Sequence, residues 1–404
     1  MLKDYFKFAF GAILHRRLRS WLTLIGIFIG ISAVVALISL GQGFKQAIGR
    51  EFEKIGTDKL FITAKNSFGP PGTNAVIELT KDDLRIVKNT NGIVNAAGYV
   101  MANARVERND NIGFFTLHSI PEGEGKKILS ETQTLIIKRG RELTDSDSFS
   151  VVLGSEFIDK ELLGRDLNLR NSIKINGREF VIVGFYDKTG DPVADKTIFM
   201  PEKTLRDVFN IAQRVDVIIV KIANVENINT IAEKIENSLR RFRKVKIDEE
   251  DFEVQTPDQI LGSFNQILDV VQAVLIGIAG ISLVVGGVGI ANTMYTAVLE
   301  RTKDIGIMKS IGARNMDILL IFLFESGTLG VIGGFIGVIA GFSLSKAVEF
   351  IAVNVIGTRL IEAYFSFTLF FGALAFSFLI GVIFGVLPAR QASMLQPVEA
   401  LRGK

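Results

Sequence analysis

A charged, glycine-punctuated stretch runs Leu299-Glu300-Arg301-Thr302-Lys303-Asp304-Ile305-Gly306-Ile307-Met308-Lys309-Ser310-Ile311-Gly312-Ala313-Arg314. Its residue types suit recognition better than catalysis. Ile305, Met308, Ile311 and Ala313 give it a small apolar side, and charged residues surround that side. So short a segment cannot fold alone, but it can dock as a helix into a partner's groove, with its charges fixing the register. From the residues alone, an ordinary solvated loop is the simpler reading. Further along, Glu325 sits inside an apolar run. A carboxylate there is costly unless paired, neutral or hydrated. It could serve a proton relay, or it could make a structural hydrogen bond to a neighbouring helix.

Other chemistry is scarce. The chain has no cysteine, which excludes disulfides, thiolate metal sites and cysteine nucleophiles. Its two histidines, His15 and His118, cannot build a multi-histidine metal site within one chain. No metal or cofactor is expected. There is no G-x-x-x-x-G-K-[ST] phosphate loop and no recognisable nucleophile motif, so the chain is not expected to be an enzyme. A net charge of +3 is too small to argue for a nucleic-acid partner.

The elements around these residues are apolar. The 404 residues are 48% hydrophobic, and residues 20–40, 264–299, 317–345 and 364–388 are almost free of charge. The mean hydropathy is +0.34. Roughly 20 apolar residues cross the hydrocarbon core as a helix, so four transmembrane helices are expected. Lys3, Lys7, Arg16, Arg17 and Arg19 precede the first, Arg301, Lys303, Lys309 and Arg314 follow the second, and Arg390, Arg402 and Lys404 follow the fourth. The positive-inside rule therefore puts both termini in the cytoplasm. The expected order is a cytoplasmic amphipathic helix (1–19), transmembrane helix 1 (20–40), and an extracytoplasmic domain with stalk helices at both ends (41–263). The end of the second stalk then leads into transmembrane helix 2 (264–299), followed by a cytoplasmic segment (300–316). Transmembrane helix 3 (317–345), a short extracytoplasmic loop (346–363), transmembrane helix 4 (364–388) and a cytoplasmic tail (389–404) complete it.

Some readings stay open at the N-terminal end. Residues 1–40 could be a signal peptide, although their apolar run is longer than a signal core and only Ser39-x-Gly41 resembles a cleavage site. Leu2, Tyr5, Phe6, Ala9, Phe10 and Ile13 at helical spacing suggest an interfacial amphipathic helix or a continuation of the first span. Helical periodicity through Phe44, Ile48, Phe52 and Ile55, and again through Ile260, Leu261, Phe264, Ile267, Leu268 and Val271, suggests two stalk helices packed side by side. Between them, short apolar runs, the Asn176-Gly177 turn signal and a helix over 225–242 indicate a large α+β insert of two lobes.

The stretch from Glu300 to Ala313 resembles the ER-x-x-EIG-x-x-K-x-x-GA signature of FtsX/MacB/LolC-type ABC permeases, with Asp304 as the first acid of the triplet. Gly385-Val386-Leu387-Pro388-Ala389-Arg390-Gln391-Ala392 and Pro397-Val398-Glu399-Ala400-Leu401 are similar to that family's closing G-x-x-PA-x-x-A and P-x-EAL. Leu14–Gly30 is similar to its opening R-x-LR-x-x-LT-x-LGI, and Val151–Gly154 and Val181–Gly184 resemble the MacB-like periplasmic core domain. The resemblance implies a permease subunit that couples ATP hydrolysis by a separate cytoplasmic ATPase to movement of its outer domain, for export or extraction of a substrate. An FtsX-like mechanotransmitter that regulates an extracellular hydrolase is the alternative. It further implies that residues 300–316 form the coupling helix received by the ATPase, with Glu300, Arg301, Lys303, Asp304, Ile305, Gly306, Met308, Lys309, Gly312 and Ala313 as the motif positions. A second permease chain, expected as a homodimer, and an extracytoplasmic adaptor are the remaining partners. Gly330, Gly333, Gly334, Gly337 and Gly341 give overlapping G-x-x-x-G spacings for close helix packing within the chain or across a dimer.

Overall fold

The structure is a computed structural model that describes residues 17–65, 78–132, 135–159, 161–164, 167–191 and 193–402, with the side chains of 17–24, Thr132, Asp159, Glu399, Leu401 and Arg402 outside the description. The expected N-terminal amphipathic helix therefore lies outside the described residues. In chain order the elements are α1 (Arg17–Ile55), β1 (Lys59–Ala64), β2 (Leu79–Thr80), α2 (Lys81–Lys88), β3 (Ile93–Tyr99), β4 (Met101–Arg108), β5 (Asn111–Ile120), α3 (Glu124–Thr132), β6 (Ile137–Gly140), β7 (Ser150–Leu153) and α4 (Glu156–Asp159). There follow β8 (Ser172–Ile175), β9 (Arg178–Tyr186), β10 (Ile198–Pro201), α5 (Glu202–Phe209), β11 (Arg214–Val215), β12 (Val217–Ile222), α6 (Ile228–Arg243) and β13 (Phe252–Gln255). The last helices are α7 (Pro257–Glu300), α8 (Thr302–Ser310), α9 (Asn315–Ile351), α10 (Phe367–Met394) and α11 (Pro397–Arg402). They form two compact units, one of residues 46–265 with 356–360 and one of the remainder.

The outer unit is α+β. A four-stranded antiparallel sheet runs β13-β1-β12-β3, and a second sheet runs β6-β9-β7-β10-β5-β4-β8. Pairing of β8 with β9 closes the second sheet into a small barrel. Alternation places side chains on opposite faces: Ala102, Ala104 and Val106 of β4 are buried, whereas Asn103 and Arg105 point out. Leu117, Val151, Leu153, Phe157, Phe180, Ile182 and Ile198 fill the barrel. The β8–β9 turn is Asn176-Gly177, both with positive φ (47° and 82°), the combination a tight type I′ hairpin needs.

On the smaller sheet, Leu60, Ile62, Ile218 and Val220 pack against Val87 of α2 and Ile231, Ile235 and Leu239 of α6. The helix expected over 225–242 begins at Ile228, after a single 3-10 turn. Thr80 caps α2 in a capping box: its N–H donates to Asp83 Oδ2 (2.7 Å), and Asp83 N–H donates back to its hydroxyl (3.3 Å). Arg243 at the end of α6 grips the same carboxylate with two donors, at 2.9 and 2.7 Å. Burial pushes the Asp83 carboxyl up, but Arg243 and Thr80 together hold it below the ordinary carboxylate value.

The membrane unit is helical. Ile25–Ile55, Pro257–Glu300, Asn315–Ile356 and Phe367–Met394 are each long and apolar enough to cross a bilayer. Their interfaces are made by small residues, because lipid gives apolar surfaces no reason to associate and close packing must do so. A Cβ on Gly330 would meet the Ser377 carbonyl of α10 at 2.3 Å, and one on Gly334 would meet the Ser377 hydroxyl at 2.5 Å. Gly337 and Gly341 instead approach α1 at Ile31 and Ser32. Gly333 is buried on the same helix. The glycines of α9 thus pack two neighbours within the chain. Gly26 of α1 and Gly286 of α7 form a further close crossing that the sequence reading did not single out.

Of the proposed stalk stripe, Ile48, Phe52, Ile55 and Ile260 are half-buried, but Phe264, Ile267 and Val271 are exposed. Lys45 and Asp269 form an ion pair between α1 and α7.

Candidate coupling site

The segment after α7 is a helix of its own. The chain turns at Arg301, whose N–H still reaches the Ala297 carbonyl (3.1 Å), and the Thr302 hydroxyl donates to the carbonyls of Leu299 (2.8 Å) and Val298 (3.1 Å). α8 then runs for nine residues and stops at a glycine. Gly312 has φ +103°, its N–H donates to Lys309 O (3.1 Å), and Ala313 N–H donates to Met308 O (3.0 Å). These are the two bonds of a Schellman cap, in which glycine takes the left-handed position. Met308 and Ala313, which the motif places at the ends of the longer bond, both pack on the membrane unit's core. The next helix starts at once: the Arg314 N–H donates to Asp317 Oδ2 (3.0 Å).

α8 has two faces. On the inner one, Ile305 and Gly306 are buried. Lys309 points the same way and donates to the carbonyls of Ser393 (2.6 Å) and Leu395 (2.7 Å), at the C-terminal end of α10. Those carbonyls lack helical partners and lie at the negative end of the helix dipole, so an ammonium satisfies them well. Arg301 pairs with Glu325 of α9 at 3.0 Å, and Glu325 is buried. The pairing supplies the cation that a carboxylate inside the bundle requires.

The outer face carries Lys303, Asp304, Ile307, Ile311 and Gly312. Ile307 is 51% exposed and Ile311 is 80% exposed. Ile311 thus leaves the apolar side on which the sequence pattern placed it: six residues beyond Ile305 it falls about 240° round the helix, on the side of Ile307, to whose carbonyl its N–H still donates (3.2 Å). Leu299 and Met316 are also exposed at the two ends of the segment. Glu300 is exposed and has a polar contact of its own.

The C-terminal motif folds back onto this place. Pro388 and Ala389 lie buried inside α10, and Pro397 opens α11, where a missing N–H costs nothing. α11 packs against α8 with Ala400 buried. The side chains of Glu399 and Leu401 lie outside the described residues. Arg301 and Lys309 were singled out for a partner, yet their side chains serve the chain's own helices. Ile307, one helical turn before Ile311, is the exposed apolar residue that the sequence pattern passes over.

Residues 20–238 match the MacB-like periplasmic core domain, and residues 276–397 match the FtsX-like permease C-terminal domain. An uncharacterized ABC transporter permease of Methanocaldococcus jannaschii is 34% identical over 99% of this chain and 98% of its own length. YknZ of Bacillus subtilis, also an ABC transporter permease, is 29% identical over 99% of both chains. The macrolide export ATP-binding/permease protein MacB of Mannheimia succiniciproducens is 31% identical over 99% of this chain, which spans 61% of that protein. Four bilayer-length helices, an α+β domain between the first two, and matches running nearly end to end lead to one conclusion: this chain belongs to the MacB-like, FtsX-type family of ABC transporter permeases.

Proposed function

We propose that this permease carries the stroke of a separate cytoplasmic ABC ATPase from α8 to the domain between its first two spans, which acts on a substrate outside the membrane. Two relatives that match it almost end to end are named as permeases alone, which supports an ATPase on another chain. In this reading both termini and residues 300–316 face the cytosol, where Arg301, Lys303, Lys309, Arg314, Arg390 and Arg402 concentrate.

The single observation that carries the proposal is the two-sidedness of α8. A loop serving only as a connection has no need of a fully buried Ile305, a capped end and an ammonium on the end of α10. Fixed on one side and exposing Ile307 and Ile311 on the other, α8 can take a push without sliding over its own chain. α1 and α7 are unbroken helices of 39 and 44 residues, and so are suited to carry displacement along their length. Glu325 in this reading is a positioning residue that holds Arg301 at the root of α8, not a proton relay.

A second copy of the chain completes the assembly. Phe264, Ile267, Val271, Val274, Ile278, Ile281, Val285 and Val288 recur along α7 at alternating steps of three and four, and all are exposed. That is the heptad of a helix–helix seam. Lipid can cover its later part. Its early part flanks Asp269 and Gln272, where the helix has not yet entered the membrane, so a protein partner is needed.

The test is recovery of the ATPase on the affinity-purified permease. Replacing both Ile307 and Ile311 with Asp should reduce co-purified ATPase about tenfold, because charge is placed at the centre of an apolar contact. The variant should melt like the parent, since both side chains are exposed. Undiminished recovery would show that the ATPase docks elsewhere.

A further inference from the structure

The outer unit contains a cleft of about 420 Å³ that plays no part in coupling. Its floor is Ala96–Gly98 of β3, one wall is α2 with Lys81 and Lys88, and α5 and the turn before α3 close the other sides. Among the described residues, β3 is the last strand of its sheet and pairs only with β12. Ala96 and Ala97 are both buried, each in a different core cluster on either side of the strand. What β3 offers the cleft is therefore backbone.

The direction of that backbone can be read. The Asp216 N–H donates to the Tyr99 carbonyl (2.8 Å), which turns Tyr99 toward β12. Polar groups alternate sides along an antiparallel strand, so Ala97 also faces β12 while Ala96 and Gly98 face the cleft. The Ala96 N–H is taken by the side chain of its own neighbour Asn95 (2.8 Å). Among the described residues, the Ala96 carbonyl and both polar groups of Gly98 remain on the unpaired edge. Proteins usually blunt such edges with proline, charge or a cover. Here the edge instead opens into the cleft between α2 and α5, and a strand added to it would lie about 4.8 Å from β3.

The charge of the α2 wall is also left uncompensated. The acids of α2 are engaged elsewhere, Asp82 with Arg85 (3.0 Å) and Asp83 with Arg243 (2.7 Å). Lys81 and Lys88, seven residues apart, share one side of the helix and line the cleft. Glu202 on the facing helix is neutralised by Arg206 at 2.8 Å, while Glu122 and Asp207 keep that side mixed. We infer that this cleft binds an extended peptide segment, which pairs with β3 as an added strand and sets acidic side chains against Lys81 and Lys88.

The experiment uses the full chain in lipid nanodiscs and a fluorophore-labelled acetyl-Val-Glu-Val-Glu-Val-amide. Saturable binding is expected, about tenfold weaker when alternate amides of the peptide are N-methylated, because the two bonds lost to the Ala96 and Gly98 carbonyls each contribute a factor of roughly three. Lys81→Glu with Lys88→Glu should weaken the acidic peptide about tenfold and favour its lysine counterpart. Both side chains are exposed, so this variant should keep the parent's melting temperature. Three outcomes would overturn the inference: no saturation up to about 1 mM peptide, equal binding of the N-methylated peptide, or indifference to the charge reversal. The first two concern the peptide alone and do not depend on how any variant folds.

Discussion

Lys309 shows how a motif residue can matter without touching the partner. Its ammonium bridges the carbonyls of Ser393 and Leu395, so removing it leaves two helix-end acceptors unsatisfied beside a buried surface. Lys309→Met should lower stability by about 1–3 kcal/mol, seen as an earlier thermal unfolding of the purified protein. It should uncouple ATP hydrolysis from outer-domain movement while leaving ATPase recovery near normal. Loss of recovery with unchanged stability would instead place Lys309 at the interface. The sequence could not have sorted these cases, because the receiving carbonyls lie 84 and 86 residues away. The Arg301–Glu325 pair was equally hidden. Gly312 was more legible, since a glycine just after a short helical run is a common cap signal.

His118 carries a prediction of a different kind. It lies on β5 against the ring of Phe199 (5.7 Å), and burial pushes its pKa down to about 4 from 6.5. The fold therefore favours the neutral imidazole. This contribution to stability is fully present above pH 6.5 and is lost as pH falls toward 4, because the unfolded chain takes up the proton first. His118→Phe should flatten the pH dependence of melting over that interval. An unchanged slope would mean that other groups set it.

Among the elements, the membrane helices were the easy part to read. Their apolar runs exceed what any soluble helix needs, and hydropathy alone marks them. The barrel was harder. Its parallel pairings, β5 with β10 and β7 with β9, join strands that are far apart in sequence. The inward positions of β4 are mostly alanine, a weak hydrophobe that prefers helices, so the alternation is muted.

The stalk periodicity predicts an internal contact, yet α7 leaves Ile267 and Val271 open. Periodicity reveals that a face is apolar, but not which chain covers it. If a second copy does, then Ile267→Cys in this cysteine-free chain should crosslink across the dimer under mild oxidation. Cysteine at Gly262, which has open space around it and lies off the heptad, should not. Monomer at both positions would remove the seam.

At the scale of the whole molecule, labour is divided. In the proposed reading the chain supplies spans, a fixed cytoplasmic helix and an outer domain, while the energy source resides in a partner. This depends on which side of the bilayer α8 occupies, and the absence of native cysteine makes that directly measurable. Ile311→Cys, exposed on the parent at 80%, can be labelled with a membrane-impermeant maleimide in sealed vesicles of each orientation. Labelling is expected in inside-out vesicles only, blocked when the ATPase is bound. Labelling in right-side-out vesicles, with the inside-out ones silent, would contradict the proposed reading.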